Sequence, residues 1–232
     1  MAAPVGFHMK YKAIFLDFYG TLVHEDDEIV AELTQKMSAC SPQNPTAREV
    51  GAFWWAALCA LFDNSHGCTF QPQRELELIS IAQTLAHFQC EDLNFDAAGA
   101  LFSHWTAPGI FADTKPFLAQ NTRPICIVSN IDRSDILQAI HFHGLHFEHL
   151  VTSEDAASYK PRSEIFHMAL EKMQLAPGEV LHVGDSYRSD IAGAHNCGID
   201  SFWLNRKGRA TPEGCLATHH GTSLLDVLRC LG

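Results

Sequence analysis

The sequence predicts an α/β protein, a Rossmann-like parallel sheet with helices on both faces and an inserted α-helical cap. Three observations predict it. Five short β-rich runs are almost continuously apolar, as strands covered on both faces must be. Helical patterns alternate with the last four runs, the rhythm of a parallel sheet. A stretch of about 90 residues between the first and second runs holds helical patterns and no strand-like one.

Taken in order, the first run is "AIFLDF" (13–18), which carries Asp17 near its end and leads into a turn. The insert follows, with helices expected over "DEIVAELTQKMSAC", "AREVGAFWWAALCALF", "RELELISIAQTLAHF" and "FDAAGALFSHW". The second run, "PICIVSN" (124–130), precedes the helical pattern "DRSDILQAIHFHGL". The third, "EHLVTS" (148–153), precedes "SEIFHMALEKMQL"; the fourth, "VLHVGD" (180–185), precedes "SDIAGAHNCG"; the fifth is "DSFWLN" (200–205). Asp132 and Ser163 are the expected N-caps of the first two of these helices. The expected division is a core of residues 1–21 and 113–232 and a cap of residues 22–112. Open parallel sheets bind ligands outside the carboxyl ends of their strands. An insert leaving from the end of the first strand therefore lands over the site.

With 232 residues and 47% apolar content, the chain can bury a sizeable core. Its formal charge of −11 argues against nucleic acid, which needs a cationic face. No apolar run approaches the roughly 20 residues that span a bilayer, so no membrane partner is expected. The opening "MAAPVGFHMK" lacks a signal peptide's apolar stretch, and Met9 marks a second start or a cloning junction. Eight scattered cysteines without a C-x-x-C pair read as reduced thiols of a cytoplasmic protein, not as a disulfide frame or zinc site. The histidines of "HFHGLHFEH" straddle a helix end and a turn, and read as polar surface. Gly193, between two alanines, reads as a close-packing position. Oligomeric state leaves no signal.

Four polar groups of different chemistry reach one edge of the expected sheet. Strand one ends at Asp17, strand two at Ser129 and Asn130, and strand four at Asp185, while Lys160 and Pro161 follow strand three. Together they supply a nucleophile, a hydroxyl donor, a cation and a metal-binding acid. Phosphoryl transfer asks for that set. A carboxylate can attack phosphorus and form an acyl phosphate, and the equatorial oxygens need positioned donors and cations. Mg²⁺ between two carboxylates and the phosphate takes hard oxygen ligands, and Asp17, Asp185 and Asp190 offer them. Asp190 just inside a helix start is also favoured there by the helix dipole alone.

The motifs "DFYGTLV", "VSN", "YKP" and "GDSYRSD" resemble, in this order, the four motifs of the haloacid dehalogenase (HAD) superfamily. The helical insert resembles that superfamily's C1 cap, and the likeness covers nearly the whole chain past Met9. The resemblance implies a Mg²⁺-dependent hydrolase of small phosphomonoesters working through a phosphorylated Asp17. It further implies that Thr21, Ser129, Asn130 and Lys160 bind phosphate, that Asp185 and Asp190 serve the metal, and that the main-chain carbonyl of Tyr19 joins them.

Tyr19 departs from the phosphatase pattern, which usually has an aspartate there as general acid and base. A phenol with pKa near 10 can donate a proton but is a poor base at neutral pH. The D-x-Y-G-T form resembles the 2-haloacid dehalogenases, whose aspartate attacks carbon without a metal. Against that alternative, those enzymes lack the carboxylate Asp185 provides. They also carry a cap arginine where "AFWWAALCALF" has none. A non-catalytic protein binding a phosphorylated ligand is the third reading.

The insert holds twelve acids against Lys36, Arg48 and Arg74. A strongly anionic leaving group is therefore disfavoured unless those three cations cluster at the pocket. Phe53, Trp54 and Trp55 are candidate pocket aromatics, with helix packing their more ordinary use.

Overall fold

The computed structural model describes residues 10–90 and 96–231. The opening segment through Met9, and Phe95 at the head of the fourth expected cap helix, lie outside the described residues. Six parallel strands form one sheet: β1 (Ala13–Leu16), β2 (Ile125–Ser129), β3 (His149–Thr152), β4 (Val180–Gly184), β5 (Asp200–Leu204) and β6 (His219–Gly221). The order is β3-β2-β1-β4-β5-β6. From β1 the chain builds outward on one side through β2 and β3, then returns to place β4 on the other side. That reversal opens a crevice at the carboxyl ends of β1 and β4. The register continues past β1, where the Asp17 N–H donates to the Val183 carbonyl at 2.9 Å.

Between β1 and β2 lie the helices α1 (Asp27–Cys40), α2 (Ala47–Asn64), α3 (Gln73–His87), α4 (Ala97–Thr106) and α5 (Thr114–Gln120). The first four match the expected insert. Thr46 and Glu49 close a reciprocal capping box at the head of α2, satisfying two orphan donors. The insert leaves and rejoins through adjacent backbone: His24 N–H donates to the Gly109 carbonyl and Phe111 N–H to that of Leu22.

Downstream come α6 (Arg133–Phe142), α7 (Ser153–Ala156), α8 (Ser163–Met173), α9 (Gly193–Asn196) and α10 (Leu224–Val227). A wide helical turn over Tyr187–Ala192 runs directly into α9. Successive strand residues face opposite ways. Phe15, Cys126 and Val128 pack against Ile165, Phe166 and Ala169 of α8. Ile14, Leu16 and Val183 belong to a larger cluster that continues without a break through Phe18 and Leu22 into Met37, Trp54 and Trp105 of the insert.

Two capping expectations are corrected. Ser163 is the first residue of α8, and Arg162 occupies the N-cap. Asp132 stands at the N-cap of α6 but makes no side-chain cap there. Its carboxylate instead accepts the Gln73 and Arg74 N–H groups, at 2.7 and 3.0 Å, and caps α3, whose own N-cap is Pro72. Gly193 is the close approach the sequence suggests, since a Cβ there would stand 2.7 Å from the Phe166 ring. The His141–His149 run covers the outer end of α6, the turn beyond it and the first residue of β3, partly or fully exposed. All eight cysteines are free thiols. No helix among the described residues is long and apolar enough to cross a membrane.

Candidate active site

The carboxyl end of β1 holds Asp17, only 6% exposed. The turn after it exists because residue 20 is glycine. Gly20 has φ +78°, and a Cβ there would come within 2.4 Å of the Asp185 carboxylate. Thr21, fully buried in the same turn, donates its hydroxyl to Asp17 Oδ2 at 3.1 Å. Arg206 pins the turn from outside, donating to the Thr21 carbonyl and, through two nitrogens, to Asp113.

Lys160 enters from the loop between α7 and α8. Its ammonium donates to Asp17 Oδ1 at 2.7 Å, Asp190 Oδ1 at 2.6 Å and the Val128 carbonyl at 2.9 Å. Asn130 aims that lysine: its amide donates to the Lys160 carbonyl at 3.0 Å and accepts the Lys160 N–H at 2.6 Å. The Lys160–Pro161 peptide is cis. Ser129 is buried at the end of β2 and lines the same cavity.

Asp185 follows β4, and Asp190 reaches back from the helical turn beyond it. Gly184 makes room, since a Cβ there would lie 2.2 Å from the Asp190 carboxyl carbon. Asp190 is heavily engaged, with Lys160 and His182 Nε2 (2.9 Å) on Oδ1 and the Ser186 N–H (3.0 Å) on Oδ2. Asp185 carries no ion pair among the described residues, and it lies within reach of Asp17. Ligand oxygens of Asp17, Asp185 and Asp190 all fall within 4.8 Å of one another. This is a buried, all-oxygen donor set able to hold a metal ion.

The electrostatics follow from burial. Desolvation raises the Asp17 carboxyl to about 7, against the pull of Lys160. Desolvation, with Glu25 and Asp17 nearby, raises Asp185 to about 8. Asp190 goes the other way, to about 2, because Lys160 and His182 outweigh its burial. Burial alone would lower Lys160, but Asp17 and Asp190 hold it above the lysine range. Burial lowers His182, so the neutral ring donates its Nε2 proton to the Asp190 carboxylate, which can only accept. The charged forms of Asp17 and Asp185 are disfavoured by burial and by neighbouring carboxylates, and a cation between them would offset both effects.

Tyr19 lines the cavity, but its hydroxyl donates to the Trp105 carbonyl of α4 at 2.5 Å. Burial pushes that phenol above its ordinary range. The cavity, about 480 Å³, is lined on the insert's side by Trp54, Trp55 and Glu77. Phe53 stands apart, stacked on His87 with ring centroids 4.0 Å apart.

The structure thus brings together Asp17, Thr21, Lys160, Asp185 and Asp190, with Ser129 and Asn130 beside them. Sequence reasoning missed His182 and Glu77. His182 leaves a signal, a polar break inside the apolar run "VLHVGD". Glu77 leaves none, because it reads as one more acid on a helix.

A strand-end carboxylate, a buried lysine and a second carboxylate meet where the strand order of the parallel sheet reverses, the place where such sheets bind ligands. The model of the haloacid dehalogenase-like hydrolases matches residues 11–198, and the chain belongs to that family. It is 42% identical over 80 residues to the haloacid dehalogenase-like hydrolase domain-containing protein 3 of Bos taurus, covering 34% of this chain and 32% of that protein. It is 41% identical over 88 residues to the pyrimidine 5'-nucleotidase YjjG of Escherichia coli, covering 37% of this chain and 39% of that protein. The matched segments span between a third and two fifths of those relatives. The L-2-haloacid dehalogenase RSc1362 shares the fold, with TM-score 0.78 and 20% identity over 96% of this chain and 99% of that one.

Proposed function

We propose that the protein is a Mg²⁺-dependent hydrolase of small phosphomonoesters that works through a phosphorylated Asp17. One observation carries this reading: a second buried carboxylate, Asp185, lies within ion-sharing distance of Asp17 and forms no ion pair among the described residues. Residues 1–21 and 113–232 form the catalytic core in this reading, and 22–112 the cap that closes the cavity.

Asp17 and Asp185 would hold the ion, and Asp190 fits it less well because its oxygens are already engaged by Lys160, His182 and Ser186. When bound, Mg²⁺ screens the incoming phosphate from its attacker. An Asp17 oxygen attacks phosphorus as the ester P–O bond breaks, the freed alkoxide takes a proton from water, and a second water cleaves the acyl phosphate, releasing phosphate and restoring Asp17. Thr21 holds Asp17 in line. Ser129 and Lys160 sit where the equatorial oxygens need donors. Asn130 contributes by fixing Lys160. Tyr19 keeps its proton on the Trp105 carbonyl, so its side chain braces the cap rather than shuttling protons, and aryl phosphates outpace alkyl ones.

The dehalogenase reading draws on Tyr19 and on the shared fold of a dehalogenase. It has no use for Asp185. The insert's cations also stay off the cavity wall, leaving no cap cation there to take a haloacid's carboxylate. The deciding assay follows phosphate and halide release over a mixed panel, with Mg²⁺ and with chelator. Phosphate release that the chelator stops is expected. Halide release that the chelator leaves unchanged overturns the assignment, and analogue binding without turnover favours a phospho-ligand-binding protein.

A further inference from the structure

The cap's share of the cavity wall is rich in acceptors. Glu77 on α3 is 4% exposed, and its Oε1 accepts the Trp54 indole N–H at 2.9 Å. Its second oxygen has no hydrogen-bond partner among the described residues. One turn earlier Gln73 lines the same cavity, with a buried Oε1 that also lacks a partner. Asp26 joins them, accepting the Trp105 indole N–H at 2.8 Å. Trp55, 62% exposed, adds an aromatic face.

The insert's own cations do not offset this wall. Lys36, Arg48 and Arg74 are not part of the cavity wall, and Arg74 is paired with Asp135 at 2.6 Å. The core contributes Arg162 and Arg188 to the rim, held by Glu164 and Asp63.

We propose that the cap wall selects phosphomonoesters whose alcohol portion carries a protonated amine, with Glu77 accepting the ammonium N–H among the surrounding indoles. This rests on the phosphatase reading of the site. An anionic leaving group would meet uncompensated carboxylates. A neutral one would strand a buried acceptor, which costs more than a hydrogen bond gains. An ammonium satisfies the acceptor, cancels charge, and is attracted by the indole faces. Burial raises the Glu77 carboxyl to about 7, as expected of a carboxylate still lacking its cation.

Matched probes test it: 4-(aminomethyl)phenyl phosphate, its hydroxymethyl and carboxy counterparts, and benzylphosphonates bearing the same substituents as non-hydrolysable ligands. The amine is expected to exceed the alcohol in kcat/KM by about tenfold or more, the reach of one charge-assisted contact. The carboxylate should be slowest. Glu77→Gln keeps an acceptor for Trp54 and should collapse the amine-to-alcohol ratio to within about twofold. Equal turnover of amine and alcohol by the unaltered protein overturns the proposal and leaves the phosphatase reading standing. An unchanged ratio in Glu77→Gln overturns Glu77 as the reader. No turnover of any phosphate, with the amine phosphonate still bound about tenfold tighter than its alcohol twin, overturns the phosphatase reading and keeps the amine site. Neither turnover nor selective binding overturns both.

Discussion

Lys160 spends its ammonium protons on Asp17, Asp190 and the Val128 carbonyl, so two buried carboxylates share one cation. Its removal and the removal of Asp17 should therefore behave oppositely. Lys160→Met strands both acids and is expected to cost about 3–5 kcal/mol in urea unfolding, with turnover lost. Asp17→Asn removes a charge that burial already disfavours, so turnover should fall by at least about 10³-fold while stability holds or rises. A strongly destabilised Asp17→Asn would contradict this electrostatic account. Tyr19→Phe should keep kcat within about threefold and cost about 1 kcal/mol, the value of its bond to Trp105. A collapse of kcat in that variant would restore the phenol as a proton donor. Asp17, Ser129 and Asp185 are legible in the sequence because each closes an apolar run, and strand ends in a parallel sheet converge. What each side chain touches is not legible. Nothing in "DFYGT" says that the tyrosine hydroxyl turns to the cap, because its partner lies 86 residues away.

The insert's helices answer closely to their sequence patterns, and α1 spans the same residues as the expected pattern. Their periodicity is local, and local information suffices. The strand β6 escapes for the converse reason: His219–Gly221 is two histidines and a glycine at the sheet edge, with no apolar run to reveal it. Capping is where near-sequence reasoning fails most plainly. Asp132 precedes α6, yet it serves the head of α3, while Asp135 one turn later takes the Arg74 guanidinium in two bonds of 2.8 and 2.6 Å. The pairing joins elements 58 residues apart and cannot be read from either helix alone. Asp132→Ala is expected to lower stability by about 1 kcal/mol, the ordinary worth of a cap, although the helix it begins never used that cap. If α6 rather than α3 frayed in hydrogen exchange, the assignment would be wrong.

Among the described residues, Asp17 and Glu77, raised to about 7, and Asp185, raised to about 8, are buried carboxyls that hold their protons far above the ordinary range. The unfolded chain releases the same protons near pH 4. Stability from this source is complete below about pH 4 and is lost as pH rises toward 8. Asp190, depressed to about 2, acts oppositely, and its contribution fades only on acidification. The Tm of metal-free protein should therefore fall between about pH 5 and pH 8.5. Mg²⁺ should restore more at the alkaline end, where the ion no longer competes with protons. A Tm that climbs over that interval, or an equal Mg²⁺ effect at both ends, would defeat this account. Core and insert share one buried apolar cluster, so calorimetry should record a single unfolding transition. That shared cluster also limits how the pocket admits its guest. A cover whose underside is continuous with the body beneath it cannot lift clear without wetting Phe18, Leu22 and Met37, so wide opening works against the same apolar burial that holds the molecule together.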